Sequence, residues 1–211
     1  MIEKDVIPAV ARHVEEVMGK EGFRYVSAVV ANCKMLALEL ESQENWTETI
    51  DSEVLIPAAY LHDISTVAHG FHEHHLKSAE MAAEFLPTLD LPAERIHKVE
   101  QAILVHTIAI APEQRSSFSI EGRILYDADK LGRLSGLAVV TSLIEFGARY
   151  PNRAVTGEVL VAILRHIEER YVELYQSLNT APAREMAREK FGNTLAFLDG
   201  IIEHLSDATP V

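Results

Sequence analysis

An intrachain disulfide is excluded, because Cys33 is the only cysteine in 211 residues. An intracellular compartment is the default that follows. Basic residues are scarce: 19 Lys and Arg stand against 32 Asp and Glu, a net charge of -13. That balance argues against a nucleic-acid backbone as partner, since affinity there rests on cations neutralising phosphates. Long apolar runs are missing too. None approaches the roughly 20 residues that cross a bilayer, and the opening MIEKDVIPAV lacks the basic-then-apolar pattern of a signal peptide. A soluble, cytoplasmic protein without a membrane partner is expected. Only 10 Gly and 8 Pro occur, and no small polar run reads as a linker, so no flexible inter-domain joint is expected. Several catalytic signatures are also absent. There is no G-x-S-x-G nucleophile turn, no P-loop and no G-x-G-x-x-G.

What the chain does have is helical periodicity. Val6, Val10, Val14 and Val17 recur at helical spacing up to Gly19, and Val26, Val29, Val30, Cys33, Leu36 and Leu40 do so from about Arg24 to Glu41. A third helix opens near Glu53 or Val54 and runs into His62-Asp63. The His-rich stretch Ser65 to Glu73 reads as a loop. Further helices are expected from about His74 to Leu86, from Pro92 or Ala93 to Ile108, and over Ile120 to Arg133 and Leu134 to Tyr150 as two helices or one bent helix. Two more run from Gly157 to about Leu178 and from Ala181 to Leu205. No stretch alternates with period two, so the fold class is all-α. The 48% hydrophobic content supplies a core for one compact domain. The stripe Leu195, Leu198, Ile202 and Leu205 packs internally or across a homodimer.

Within these helices some ionisable residues face inward. His62 stacks over Leu55, Ala58 and Ala59, and Asp63 over Ile56, Ala59 and Tyr60, so both point at the core. A buried carboxylate without a partner costs several kcal/mol, and either hydrogen bonds with a cation or a metal ion must offset that. His106 shares the stripe of Val99, Ala102, Ile103 and Ile110, whereas His97, nine residues away, falls on the opposite, wet face. A lone inward His is more often a satisfied core residue than a ligand, so its neighbours decide. One of Asp127 and Asp129 is expected to be buried, and the place of Asp129 over Leu125 favours it. His74 and His75 open the next helix, and either can turn inward. Mixed imidazoles and carboxylates suit Mn, Fe, Ni, Co or Zn, and a single cysteine excludes a thiolate site. Ligands contributed by separate helices are the way a helical bundle builds an internal metal centre.

The ordered series AAYLHDI (Ala58 to Ile64), HHLKSAE (His74 to Glu80), ILVH (Ile103 to His106) and YDADKL (Tyr126 to Leu131) resembles the HD-domain superfamily of metal-dependent phosphohydrolases. The segment from His166 to the last helix resembles a stand-alone bacterial and archaeal branch, so the likeness spans nearly the whole chain. It implies an all-α HD-type helical bundle, a single domain with its core at about residues 20–150 and additional C-terminal helices at about 151–211. It also implies a divalent-metal cofactor (Mn, Fe, Ni, Co, Zn or Mg). His62 and Asp63 match the His-Asp pair, Asp129 the distal acid, and His106 with His74 or His75 the ligands of two-metal members, in which the Asp of the pair bridges the ions. The first ligand His does not carry over: Tyr25 stands where it belongs, and a neutral phenol is a poor ligand. Gly132 likewise stands where another acid is expected.

The implied reaction is hydrolysis of a phosphate monoester or phosphoanhydride of a small, nucleotide-like molecule by a metal-activated water. Asp63 and Lys130 are the catalytic candidates, and Lys77, Lys130 and Tyr25 the candidates for substrate contact. The rival is a degenerate member that binds a small ligand or acts as a scaffold. A third reading, an oxygenase like the di-iron HD relatives, requires dioxygen for turnover. Substrate choice is assigned to the loops Ser65 to Glu73 and Ile110 to Ser119.

Overall fold

The computed structural model describes residues 6–107, 117–134, 136–152 and 154–207. Among them there are helices and no strands, as the periodicity requires. The chain divides into two compact units, residues 1–129 and 130–211. The division falls inside a helix.

The first unit is assembled around one short helix. The helix α1 (Val6–Glu41) is broken at Gly19, whose φ of 69° and ψ of 178° are open to glycine alone at no steric cost, so it is two helices joined at a corner. The helix α2 (Ser52–Leu61) packs against α1, against α4 (His74–Phe85) and against α5 (Ala93–Leu104). Being enclosed on several sides, it is apolar nearly all round: Val54 through Ala59 and Leu61 are buried. Its start is pinned by Asp51. One carboxylate oxygen of Asp51 accepts from the Glu53 N–H at 2.9 Å as an N-cap, and the other accepts from Arg95 Nε at 3.1 Å. The Asp51 N–H donates to Glu121 of α6 (Ile120–Arg133), and Arg95 also pairs with Glu53.

Two expected boundaries shift. The stretch Ser65 to Glu73 is not all loop, because Thr66–His69 forms a one-turn helix, α3, whose last N–H groups bond back to Ser65 and Thr66 before Gly70 (φ 69°) ends it. The helix α5 stops at Leu104 rather than Ile108, which leaves His106 in the turn beyond it, and residues 108–116, Ile110 among them, lie outside the described residues. Gly122 explains the close approach there. A Cβ on it would fall 2.7 Å from a Val105 methyl, so glycine lets α6 cross the end of α5 beside His106.

In the second unit, α7 (Gly136–Arg149) is followed by α8 (Gly157–Gln176) and α9 (Ala181–Asp207), and the last two pack against each other. Leu198 and Ile202 of the C-terminal stripe are buried within this unit. Among the described residues no single helix is long and apolar enough to cross a membrane.

Because Asp51 caps α2 and also anchors Arg95, Asp51→Ala is expected to destabilise the protein by about 1–2 kcal/mol. The check is the midpoint of chemical denaturation, which should fall with little change in slope.

Candidate metal centre

The C-terminal end of α2 delivers two ligand-type side chains into the interior. His62 is the C-cap residue and Asp63 the next one in the turn, both essentially without solvent exposure. Their inward direction agrees with the helical wheel. Their position, just past the last helical residue, frees backbone groups that the rest of the site uses. Thr66 Oγ1 donates to the Asp63 carbonyl at 2.7 Å and so ties down the turn.

His74 reaches the same point from the start of α4. The residue before it, Glu73, is left-handed (φ 52°, ψ 26°), a conformation costing about 1 kcal/mol for a side-chain-bearing residue. That kink turns the chain abruptly into α4. The turn is held by a buried pair of hydroxyls. Ser65 Oγ donates to the His74 carbonyl at 3.0 Å, and Ser78 Oγ donates to Ser65 Oγ at 2.9 Å while accepting from the Ser65 N–H. His106 enters from the turn after α5, also buried.

All three imidazoles are held in one way. Nδ1 of His62 lies 2.8 Å from the Ala59 carbonyl, Nδ1 of His74 lies 2.8 Å from the Phe71 carbonyl, and Nδ1 of His106 bonds the Ile103 carbonyl. A carbonyl only accepts, so each Nδ1 carries the proton and each neutral ring presents an Nε2 lone pair inward. These lone pairs converge on Asp63. Oδ1 of Asp63 is 3.3 Å from His74 Nε2 and 3.6 Å from His106 Nε2, which are 3.1 Å from each other; Oδ2 is 3.5 Å from His62 Nε2.

Acceptors facing acceptors repel unless something positive lies among them. Two of these atoms, His62 Nε2 and Asp63 Oδ1, are buried with no hydrogen-bond partner, an arrangement that otherwise costs a few kcal/mol each. Ligands bound at about 2.1 Å to one ion stand roughly 3.0–3.5 Å apart at right or tetrahedral angles. The separations of 3.1 and 3.3 Å fall within that spacing, and the 3.6 Å separation lies just beyond it. The donor set therefore fits a divalent cation, with the backbone carbonyls as the outer support that such ligands usually have. Ligand atoms of His62, Asp63 and His106 all lie within 4.8 Å of one another.

Asp129 stands beside this cluster. Its charge is felt at Asp63, and its Oδ1 accepts a hydrogen bond from the Tyr25 phenol at 2.8 Å, with the Tyr25 and His62 ring centres 6.3 Å apart. Asn32 donates to the Ala128 carbonyl and so locks α6 to α1 at this level. Both Asp127 and Asp129 are buried, not one of the two. The buried charges, together with burial itself as the larger cause, push the Cys33 thiol up, so it is an inert core residue.

The remaining candidates are placed differently. His75 stacks edge-on against the His74 ring at 5.8 Å, and burial lowers its pKa. Lys77 lies on α4, one turn beyond His74, and Lys130 is the buried first residue of the second unit. His97 is exposed, as its wheel position requires. Most of the loop Ile110 to Ser119 lies outside the described residues. Sequence reasoning misses Ser65, Ser78 and the Ala59, Phe71 and Ile103 carbonyls. The only signal for the carbonyls is a residue three positions before each His, which any helix supplies.

With this geometry in hand, three comparisons bear on it. The HD domain family profile matches residues 23–134, which contain every residue of the cluster. No curated protein sequence matches the chain. Among solved structures, YpgQ of Bacillus subtilis in complex with ADP is similar at 19% identity, with TM-score 0.67 and 97% of each chain covered. An HD-superfamily hydrolase from Bacillus thuringiensis has 18% identity and TM-score 0.65, covering 98% of this chain and 100% of that one. A predicted HD superfamily hydrolase from an uncultured Thermotogales bacterium has 21% identity and TM-score 0.56, covering 94% and 90%. At these identities the likeness is one of fold.

Burial pushes the Asp63 carboxyl up, but His62 and His106 outweigh it and hold the group down at about 2. The folded value lies below the ordinary 3.8, so the contribution is present above about pH 4 and is lost as pH falls toward 2. Metal-free protein is expected to lose about 2 kcal/mol across that window from this group. Asp63→Asn should lack that component, and denaturation midpoints at a series of acid pH values test it.

Proposed function

This chain belongs to the HD-domain family, and on that premise we propose that it is a metal-dependent phosphohydrolase. The substrate class is a phosphate monoester or phosphoanhydride of a small, nucleotide-like molecule. The observation that carries the reading is the convergence of three Nε2 lone pairs on the two oxygens of one buried carboxylate. A divalent ion bound there supplies Lewis-acid polarisation of a phosphate and lowers the pKa of water.

The chain's own residues do the positioning. Asp63 would carry the negative charge that holds the cation, and each of its oxygens has its own imidazole neighbours. His62, His74 and His106 supply neutral donors whose orientation is set by backbone carbonyls. Lys77, one turn from His74 on α4, is proposed to pair with phosphate oxygens. Together with the cation it gives a protein of net charge -13 a local surface that takes an anion. Phe71, 70% exposed and 5.9 Å from the His74 ring, offers a flat apolar face beside that ring. The ADP complex of YpgQ, a fold neighbour, supports a nucleotide-like substrate.

One observation favours a second reading. The phenol of Tyr25, at the position where the resemblance expects a ligand His, engages Asp129. A protein with a weakened centre that binds a small phosphorylated ligand without turnover would look the same.

Phosphate release from a panel of nucleotides, with Mn, Ni, Co, Fe or Mg added to metal-free protein, separates the two. Release with at least one metal is expected, and Asp63→Ala and His74→Ala should each lower it by about 100-fold or more. Binding of nucleotide with no release under any metal would establish the second reading instead. Tyr25→His should raise metal affinity if that position is the missing ligand site.

A further inference from the structure

The helix α3 ends at Gly70, whose φ of 69° and ψ of -167° form a conformation reserved for glycine. The residue after it, Phe71, is held by the backbone on both sides. The Gly70 N–H donates to the Thr66 carbonyl at 2.9 Å, and the Phe71 carbonyl accepts from His74 Nδ1 at 2.8 Å. The contact that orients His74 therefore also sets the place of the Phe71 side chain. Scattered exposed apolar side chains need no explanation by themselves. This one is 70% exposed, with its ring centre 5.9 Å from that of His74 and its plane at 73° to it. In a crossed pair of that kind at least one face of the phenyl ring is free of the partner. A single imidazole separates it from the buried carboxylate, since His74 Nε2 lies 3.3 Å from Asp63 Oδ1.

We propose that Phe71 is a specificity-determining residue, the platform on which the base of a nucleotide stacks while its phosphates occupy the centre at Asp63. This inference rests on the phosphohydrolase reading above and deepens it. A ligand that engages both places needs a phosphate end and an aromatic ring, joined by a spacer that passes one imidazole. A nucleotide has that build, whereas a sugar phosphate and inorganic pyrophosphate lack the ring. Stacking uses the π-face that every base has and reads none of its hydrogen-bonding edges. Phe71 thus selects for a base without choosing among bases. Its ring is uncharged and adds nothing to the hold on phosphate, so its effect is confined to ligands that carry a base.

The test is calorimetric titration of three non-hydrolysable probes into the full-length chain loaded with Mn(II), with circular dichroism reporting the fold. The probes are the α,β-methylene diphosphates of adenosine and of uridine, and methylenediphosphonate, which has the same phosphorus groups and no nucleoside. The readout is the affinity of each nucleoside probe divided by that of methylenediphosphonate, a ratio that cancels any disturbance of the centre itself. Phe71→Ala and Phe71→Leu should each lower the ratio about tenfold or more for both nucleosides, and Phe71→Trp should keep or raise it. A ratio that stays within about twofold in Phe71→Ala overturns the inference, because the side chain then acts only through the fold. So does a ratio preserved in Phe71→Leu, which would assign the effect to apolar bulk, or a loss confined to one of the two bases. Should Phe71→Ala fail to fold, Phe71→Leu decides. Binding of none of the probes by the unmodified protein overturns the phosphohydrolase reading together with this inference. Binding of methylenediphosphonate as tightly as the nucleoside probes overturns this inference only.

Discussion

The first unit depends on one electrostatic demand: a carboxylate, Asp63, is sealed from water with imidazole lone pairs aimed at it. Taking such a group out of water costs several kcal/mol, and surrounding it with further acceptors adds to the cost. Nothing in the hydrophobic packing of α2 returns that energy. The arrangement suits a receptor for positive charge, and the surrounding structure can be read as the apparatus that keeps it from collapsing. Asp51 and Arg95 fix one end of α2, the Ser65 and Ser78 hydroxyls fix the turn beyond the other end, and Gly122 lets α6 approach closely.

Much of this was legible in the sequence because periodicity reports which way a side chain faces. His62, Asp63, His106 and Asp129 fall on apolar stripes and all are buried, while His97 falls off its stripe and is exposed. The all-α class follows from the same signal. What was not legible is mostly the work of single backbone angles. The choice between His74 and His75 is made by Glu73 adopting a left-handed conformation, which no residue-type preference announces for glutamate. The one-turn helix α3 is too short to show a period. The early end of α5 leaves His106 in a turn, where it still points inward although no helix remains there to direct it. The hydroxyl pair Ser65 and Ser78 joins residues thirteen apart, a distance at which pattern reasoning has no purchase.

Tyr25 shows a different limit. The resemblance expects a ligand His at that position, and the sequence does not separate a lost ligand from a gained contact. The structure adds the missing term by showing what the phenol does, which is to donate to Asp129. A position judged by what it lacks thereby becomes one judged by its partner.

The way the three imidazoles are clamped has an evolutionary consequence. Each ring is oriented by the carbonyl three residues before it, at Ala59, Phe71 and Ile103, and a carbonyl is common to every amino acid. Each donor and its brace therefore form a self-contained four-residue cassette, indifferent to the side chain that supplies the brace. Such cassettes tolerate drift almost everywhere around the His itself, so the centre can persist while most of the surrounding sequence is rewritten.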